Sequence, residues 1–228
     1  SFKGHKNLKT ITFPENSQLK IIESSFSYSS LEKLVLPASV ETIDVFCFNN
    51  IYNLNEIEIS PANSNFIIYE HKYLLKESKK GSKNFDFIIF AIRGIEIANI
   101  PPNIKEIGIY AFNNCTKLKA IIFEPNSSLK TIGSNAFENI AGPEKIVIPS
   151  SVETICYNAF SKNKNTEIIE INGKSIDIRY GCFREMTNLS VISFPNAKRI
   201  DLNFSRNSKI SKNTKIFVRQ KSKLIYDK

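Results

Sequence analysis

Apolar and polar positions alternate through this chain in short bursts, and the bursts share one grammar. It reads Leu-x-x-Ile-x-Ile, usually a proline, then Val-x-x-Ile-x-x-x-Ala/Cys-Phe. In the first burst every second residue is apolar, the periodicity of a strand with one face buried. Proline closes it at positions 14, 37, 101, 149 and 195, because proline has no N–H to give a ladder. The Val-x-x-Ile stretch predicts a second, shorter extended piece. The Ala-Phe-x-x-Cys/Ile stretch predicts a single helical turn. Leu31–Pro37 and Pro143–Pro149 are near copies, continued by Ser39-Val40-Glu41-Thr42-Ile43 in one and Ser151-Val152-Glu153-Thr154-Ile155 in the other. Each then reaches an aromatic anchor, Phe48 and Phe160.

The anchor recurs at Phe112, Phe137, Phe160 and Phe183, every 23–25 residues, and sooner at Phe204. A unit of about 20–29 residues built on L-x-x-L-x-L marks a leucine-rich solenoid. The predicted architecture is a mainly β solenoid: a right-handed leucine-rich-repeat array with a parallel sheet on the concave face and short strands or helical turns on the other side. Coils start near Leu8, Leu31, Leu54, Ile97, Leu118, Pro143, Ile168 and Leu189, giving about eight in one array over residues 1–228. The interval from Phe48 to Phe112 is too long for two coils. Its surplus lies in 62–94, where two apolar runs, Tyr69–Leu75 and Phe85–Phe90, flank a polar stretch and read as a hairpin, projecting from the array or paired along its side. Residues 210–228 read as a terminal strand plus cap. Ser1–Leu8 aligns with Ala111–Leu118, so the sequence starts in mid-repeat, as if upstream coils preceded it.

The Ile-Pro-x-x-Val-x-x-Ile-x-x-x-Ala-Phe-x-x-Cys grammar, clearest from Ile104 to Cys115, resembles the BspA-like leucine-rich repeats of bacterial and protist surface proteins. The variant unit around Asn65 and Tyr73-Leu74-Leu75 fits the same resemblance, which spans nearly the whole chain. It implies a non-catalytic binding or adhesion module at the cell surface or outside the cell, taking a host matrix or cell-surface protein as partner. It transfers no catalytic residue.

Composition agrees with a non-enzyme. There are two histidines, and eight glycines with no phosphate-binding loop among them; catalytic and metal sites need convergent His, Cys and carboxylate groups. No catalytic, metal or cofactor residue is expected. No apolar run approaches the roughly 18 residues of a membrane span. The four cysteines fall in packing slots of the repeat: Cys47 and Cys182 before an anchor, Cys156 in the glycine slot of Gly108 and Gly133, Cys115 after an anchor. Free thiols are therefore expected. Sequons begin at Asn114, Asn126, Asn188 and Asn203.

Two readings concern binding. On the strand face turned from the core, coils four to eight set Ile97, Ile122, Val147, Ile168 and Val191 towards solvent, where an exposed apolar patch would mark a partner surface. β-branched residues also simply suit strands. Charge supplies the second reading. The chain carries +9, and ten of its 31 basic residues fall in 198–228 against two acidic ones. Lys215, Arg219, Lys221 and Lys223 could bind a sulfated glycan or another polyanion by counterion release, or could keep an edge strand from pairing. Nucleic acid is disfavoured because no aromatics interleave the basic residues. The remaining alternative is an intracellular or structural repeat scaffold.

Overall fold

The computed structural model describes residues 2–201, 213–218 and 223–225. The first three coils hold β1 (Thr10–Ile11), β2 (Ile21–Ile22), β3 (Lys33–Leu36), β4 (Thr42–Ile43) and β5 (Glu56–Ile59). Then come β6 (Phe66–Tyr69), β7 (Tyr73–Lys76), β8 (Phe87–Ala91), β9 (Ile97–Ile100), β10 (Glu106–Ile107), β11 (Ala120–Phe123) and β12 (Thr131–Ile132). The last are β13 (Lys145–Ile148), β14 (Thr154–Ile155), β15 (Ile168–Ile171), β16 (Ser175–Ile178), β17 (Val191–Phe194), β18 (Arg199–Asp201), β19 (Lys215–Val218) and β20 (Lys223–Ile225). The fold is a β-solenoid of about nine turns. β19 continues the ladder of β17 in register, Val191 opposite Lys215, so the terminal strand expected beyond the eighth coil adds a ninth.

Two stacks of parallel strands enclose the core. The first strand of each coil builds a long-strand face in three segments, β1-β3-β5, β9-β11 and β13-β15-β17-β19. Alternation does the sorting: in β13, Ile146 and Ile148 are buried while Lys145 and Val147 are exposed. The second strands form β2-β4 and a nine-stranded sheet from β6 through β7, β8 and the even-numbered strands β10 to β20.

The anchor segment is not generally helical. Among the described residues one short 3-10 helix occurs, Val45–Phe48, with Asp44 Oδ1 accepting from the Phe46 amide at 2.8 Å. Elsewhere successive N–H groups divide their work. Ala111, Asn113 and Cys115 donate within the coil, to Gly108, Tyr110 and Phe112, while Tyr110, Phe112 and Asn114 donate to Ser134, Ala136 and Glu138 of the next coil. A helical turn would spend all of them internally; this turn makes a third inter-coil ladder. It requires left-handed backbone at two places per coil: φ is 56° at both Asn135 and Asn139, 54° at Asn158 and 64° at Lys162. Asparagine tolerates that region better than other residues with a Cβ, which explains its columns. Their side chains add a second tie, Asn139 Nδ2 donating to Asn114 Oδ1 at 2.7 Å.

Residues 66–91 form three antiparallel strands, β6, β7 and β8. β6 and β7 meet at a tight turn with Glu70 and His71 both left-handed, at φ 50° and 54°. β7 and β8 are joined by the polar stretch, and β8 then pairs in parallel with β10. The segment does not project. β7 and β8 are buried on both faces, which is why Phe87–Ala91 reads as an unbroken apolar run. Leu74, Phe87, Ile89 and Phe90 pack into a core shared with the N-terminal coils; Tyr73, Leu75, Ile88 and Ala91 pack into the core of the C-terminal ones. The insertion is a partition between two cores. Across it the anchor stack is bridged: Phe90 lies 4.5 Å from Phe48 and Tyr73 lies 5.9 Å from Phe112, ring centre to ring centre. The stack runs on through Phe137, Phe160 and Phe183. Phe204 lies outside the described residues.

Candidate protein-binding face

The outward side chains of the long strands form two columns. In register, one runs Thr10–Lys33–Glu56, then Ile97–Ala120, then Lys145–Ile168–Val191–Lys215. The other holds Val35–Glu58, Asn99–Ile122 and Val147–Glu170–Ser193–Phe217. The first three coils make a charged face. Lys33 Nζ bonds Glu56 and Glu58, each at 2.7 Å. Its hydrogen bonds with the two carboxylates raise its pKa, and hydrogen bonding to Lys33 lowers that of Glu58.

Beyond the partition the face becomes apolar. Ile97, Ile122 and Val147 are 48%, 46% and 40% exposed, large fractions for β-branched side chains held by rigid strands. Ile168 and Val191 are half-buried. The five do not form one patch. Lys145 lies between Ala120 and Ile168 in its column and reaches diagonally to Glu170 at 2.9 Å, whose carboxyl is lowered chiefly by that bond. Ile97, Ala120, Ile122 and Val147 thus make one apolar ridge, and Ile168 with Val191 a second beyond the ion pair. The ridge crosses a seam: β11 and β13 are neighbours without a ladder, because Gly142 N–H takes the Leu118 carbonyl and Pro143 has no N–H.

Of the basic residues, Lys215 is exposed on the long-strand sheet and Lys223 belongs to the short-strand sheet, in register with Arg199. Arg219 and Lys221 lie outside the described residues. The four therefore do not gather on one strand.

Sequence reasoning missed Arg93. Its side chain is buried among backbone carbonyls from both sides of the partition: Ile51 O at 2.9 Å, Ala111 O at 2.8 Å, Ala91 O at 3.2 Å, and Phe48 O and Tyr110 O at 3.3 Å. The guanidinium carbon lies 4.2 Å from the Phe90 ring centre. The available signal was one cation inside the apolar run from Phe85 to Ile100. Asp86 in the same run is also buried, paired with Lys105 at 2.8 Å.

Among the described residues no three His, Cys, Asp or Glu side chains come together to hold a metal. All four cysteines are free. Burial pushes the Cys47 thiol up to about 11 and raises Cys115, Cys156 and Cys182 as well. Asn114 is buried in the asparagine ladder and closed to modification, Asn126 and Asn188 are exposed, and Asn203 lies outside the described residues. No helix among the described residues is long and apolar enough to cross a membrane.

The pattern describing the BspA type leucine rich repeat region matches residues 1–76 and 83–211, in six copies. The chain belongs to that family. Similar solved structures are a leucine-rich repeat protein from Eubacterium ventriosum (TM-score 0.75, 19% identity, 100% of this chain and 67% of that one) and the pneumococcal vaccine antigen PcpA (TM-score 0.78, 22% identity, 98% and 63%). A third is a leucine rich cell surface protein from Faecalibacterium prausnitzii (TM-score 0.76, 20% identity, 98% and 55%). The chain spans about two thirds or less of their lengths. At these identities the likeness shows the fold. No curated protein matches the chain.

Proposed function

We propose that this chain is a non-catalytic adhesion module of a cell-surface BspA-type repeat protein, holding a protein of the host matrix or cell surface against its long-strand face. The observation that carries this is the ridge of Ile97, Ala120, Ile122 and Val147, apolar side chains kept at the surface by parallel strands. Family membership and likeness to a protein described as a cell surface protein support the compartment. Charged coils on one side and the Lys145–Glu170 pair on the other give the ridge the apolar centre and polar rim that protein interfaces share.

The test is capture of the chain by immobilised extracellular-matrix proteins and by epithelial cells, against albumin. Saturable capture is expected, and Ile122→Lys with Val147→Lys should abolish it, because two ammonium groups would have to be desolvated at the contact. Both side chains point away from the core, so the thermal midpoint should hold. No capture by any matrix protein or cell, or capture that survives the double substitution, would overturn the proposal.

A further inference from the structure

The opposite sheet carries a groove that the protein-binding reading does not use. It runs over the short strands β12, β14, β16 and β18, with Lys130, Ser151, Lys174, Ser175, Arg179 and Arg199 along its sides and Val152 and Ile176 beneath. Two of the cations are balanced, Lys130 by Glu153 at 2.6 Å and Arg179 by Asp177 at 2.7 Å. No described carboxylate pairs with the exposed Lys174, Lys198 or Arg199. Lys174 sits on one coil and Lys198 with Arg199 on the next: the Lys198 amide donates to the Lys174 carbonyl, and Ser175, Arg199 and Lys223 stand in register. Excess positive charge therefore steps along the solenoid axis at about 4.8 Å per coil.

We infer that this groove binds a linear sulfated glycan lying along the solenoid axis, with Lys174 and Arg199 as its principal contacts. A flexible chain with regularly spaced anions can match cations spaced by a ladder, and arginine's fork suits a sulfate as it suits other planar arrays of anionic oxygens. The exposed Ser150 and Ser175 beside the groove suit a polyhydroxyl ligand. No aromatic side chain lines the groove, so there is no platform on which nucleic-acid bases could stack. Its apolar residues lie underneath, so nothing projects to enter a bilayer. The site stands apart from the long-strand face, and the failure of either proposal leaves the other standing.

The experiment measures the affinity of the whole chain for a fluorescent heparin oligosaccharide across a salt series. Wild type should bind with a steep salt dependence. Lys174→Ser with Arg199→Ser should weaken binding at least about tenfold at physiological salt and flatten the salt slope by the counterions those two contacts release. Arg199→Gln alone should give part of that loss. Lys9→Ser with Lys119→Ser removes the same net charge near the long strands and should leave affinity within about twofold. Desulfated heparin, duplex DNA and phosphatidylserine vesicles complete the set. Absent heparin binding, an unaffected groove variant, or equal losses in both double variants would each overturn the site. DNA or vesicle binding as tight as heparin binding and lost with the same two residues would overturn the glycan assignment.

Discussion

Replacing Arg93 with methionine tests the most unusual contact in the molecule. The substitution keeps the apolar stem and removes the guanidinium with all its donors. The Ala111 and Tyr110 carbonyls retain the Ala91 and Asn113 amides, so the lasting damage falls on the buried carbonyls of Ile51, Phe48 and Ala91. An orphaned buried acceptor costs about 1–3 kcal/mol, so three cost roughly 3–9 kcal/mol. Against this stands the relief of a buried charge that has no carboxylate partner, worth several kcal/mol. The expected net loss is about 2–5 kcal/mol. Arg93→Lys should be no milder, since it keeps the charge, loses the fork and cannot reach carbonyls on both sides of the partition. Because Arg93 ties the N-terminal core to the C-terminal one, its loss should also weaken their coupling, as expected when stability is a sum of units and interfaces. Urea unfolding followed by circular dichroism and by tyrosine fluorescence is the assay, and the Arg93→Met transition should broaden or split. A midpoint shift worth less than about 0.5 kcal/mol, the level of an ordinary surface substitution, would refute the reasoning, as would full stability in Arg93→Lys.

Three further outcomes follow from the packing. Phe137→Ala, at the centre of the stack with neighbours at 4.7 and 5.3 Å, should cost about 3–5 kcal/mol in urea unfolding, and an unchanged midpoint would refute the stack. The Cys47 thiol ionises near 9 when unfolded and near 11 when folded, so its contribution to stability is complete below pH 9 and is lost as pH climbs towards 11. Cys47→Ala should flatten that alkaline decline, read from unfolding midpoints across the range. Burial pushes the Asp86 carboxyl up, but Lys105 and the Ser78 amide outweigh it and hold it below its ordinary value of 3.8. Its stabilisation is therefore present above that pH and lost as pH falls through the folded value, and Asp86→Asn should flatten the acid limb measured the same way.

The repeat was legible because its signal is local: Leu31 to Leu36 states the period of a half-buried strand in six residues, and Pro37 closes it. Other features were not. An unbroken apolar run such as Phe87–Ala91 says that both faces are buried but not against what, so a partition between cores read as a hairpin that either projected from the array or paired along its side. The left-handed turn was written in Asn135, Asn139 and Asn158, yet asparagine in a turn also reads as loop polarity or a sequon, and the apolar spacing alone does not separate this turn from a helical one. The basic groove is assembled from Lys130, Lys174 and Arg199, one to a coil and far apart in the chain. The dense run at the C-terminus drew notice instead, although Lys215 and Lys223 belong to different sheets. The outward columns were readable from alternation, but not the Lys145–Glu170 pair that divides the apolar residues, because that pair joins two coils.

Side-chain footprinting of the chain on the matrix protein or cell surface that captures it tests the central claim most directly. Carbene labelling of Ile97, Ile122 and Val147 should fall by more than half on capture, while Tyr157 and Tyr180, exposed on the turn side, should label as in the free chain. Protection confined to the turn tyrosines, with those three aliphatic side chains labelled as before, would contradict the assignment of the long-strand face as the binding surface.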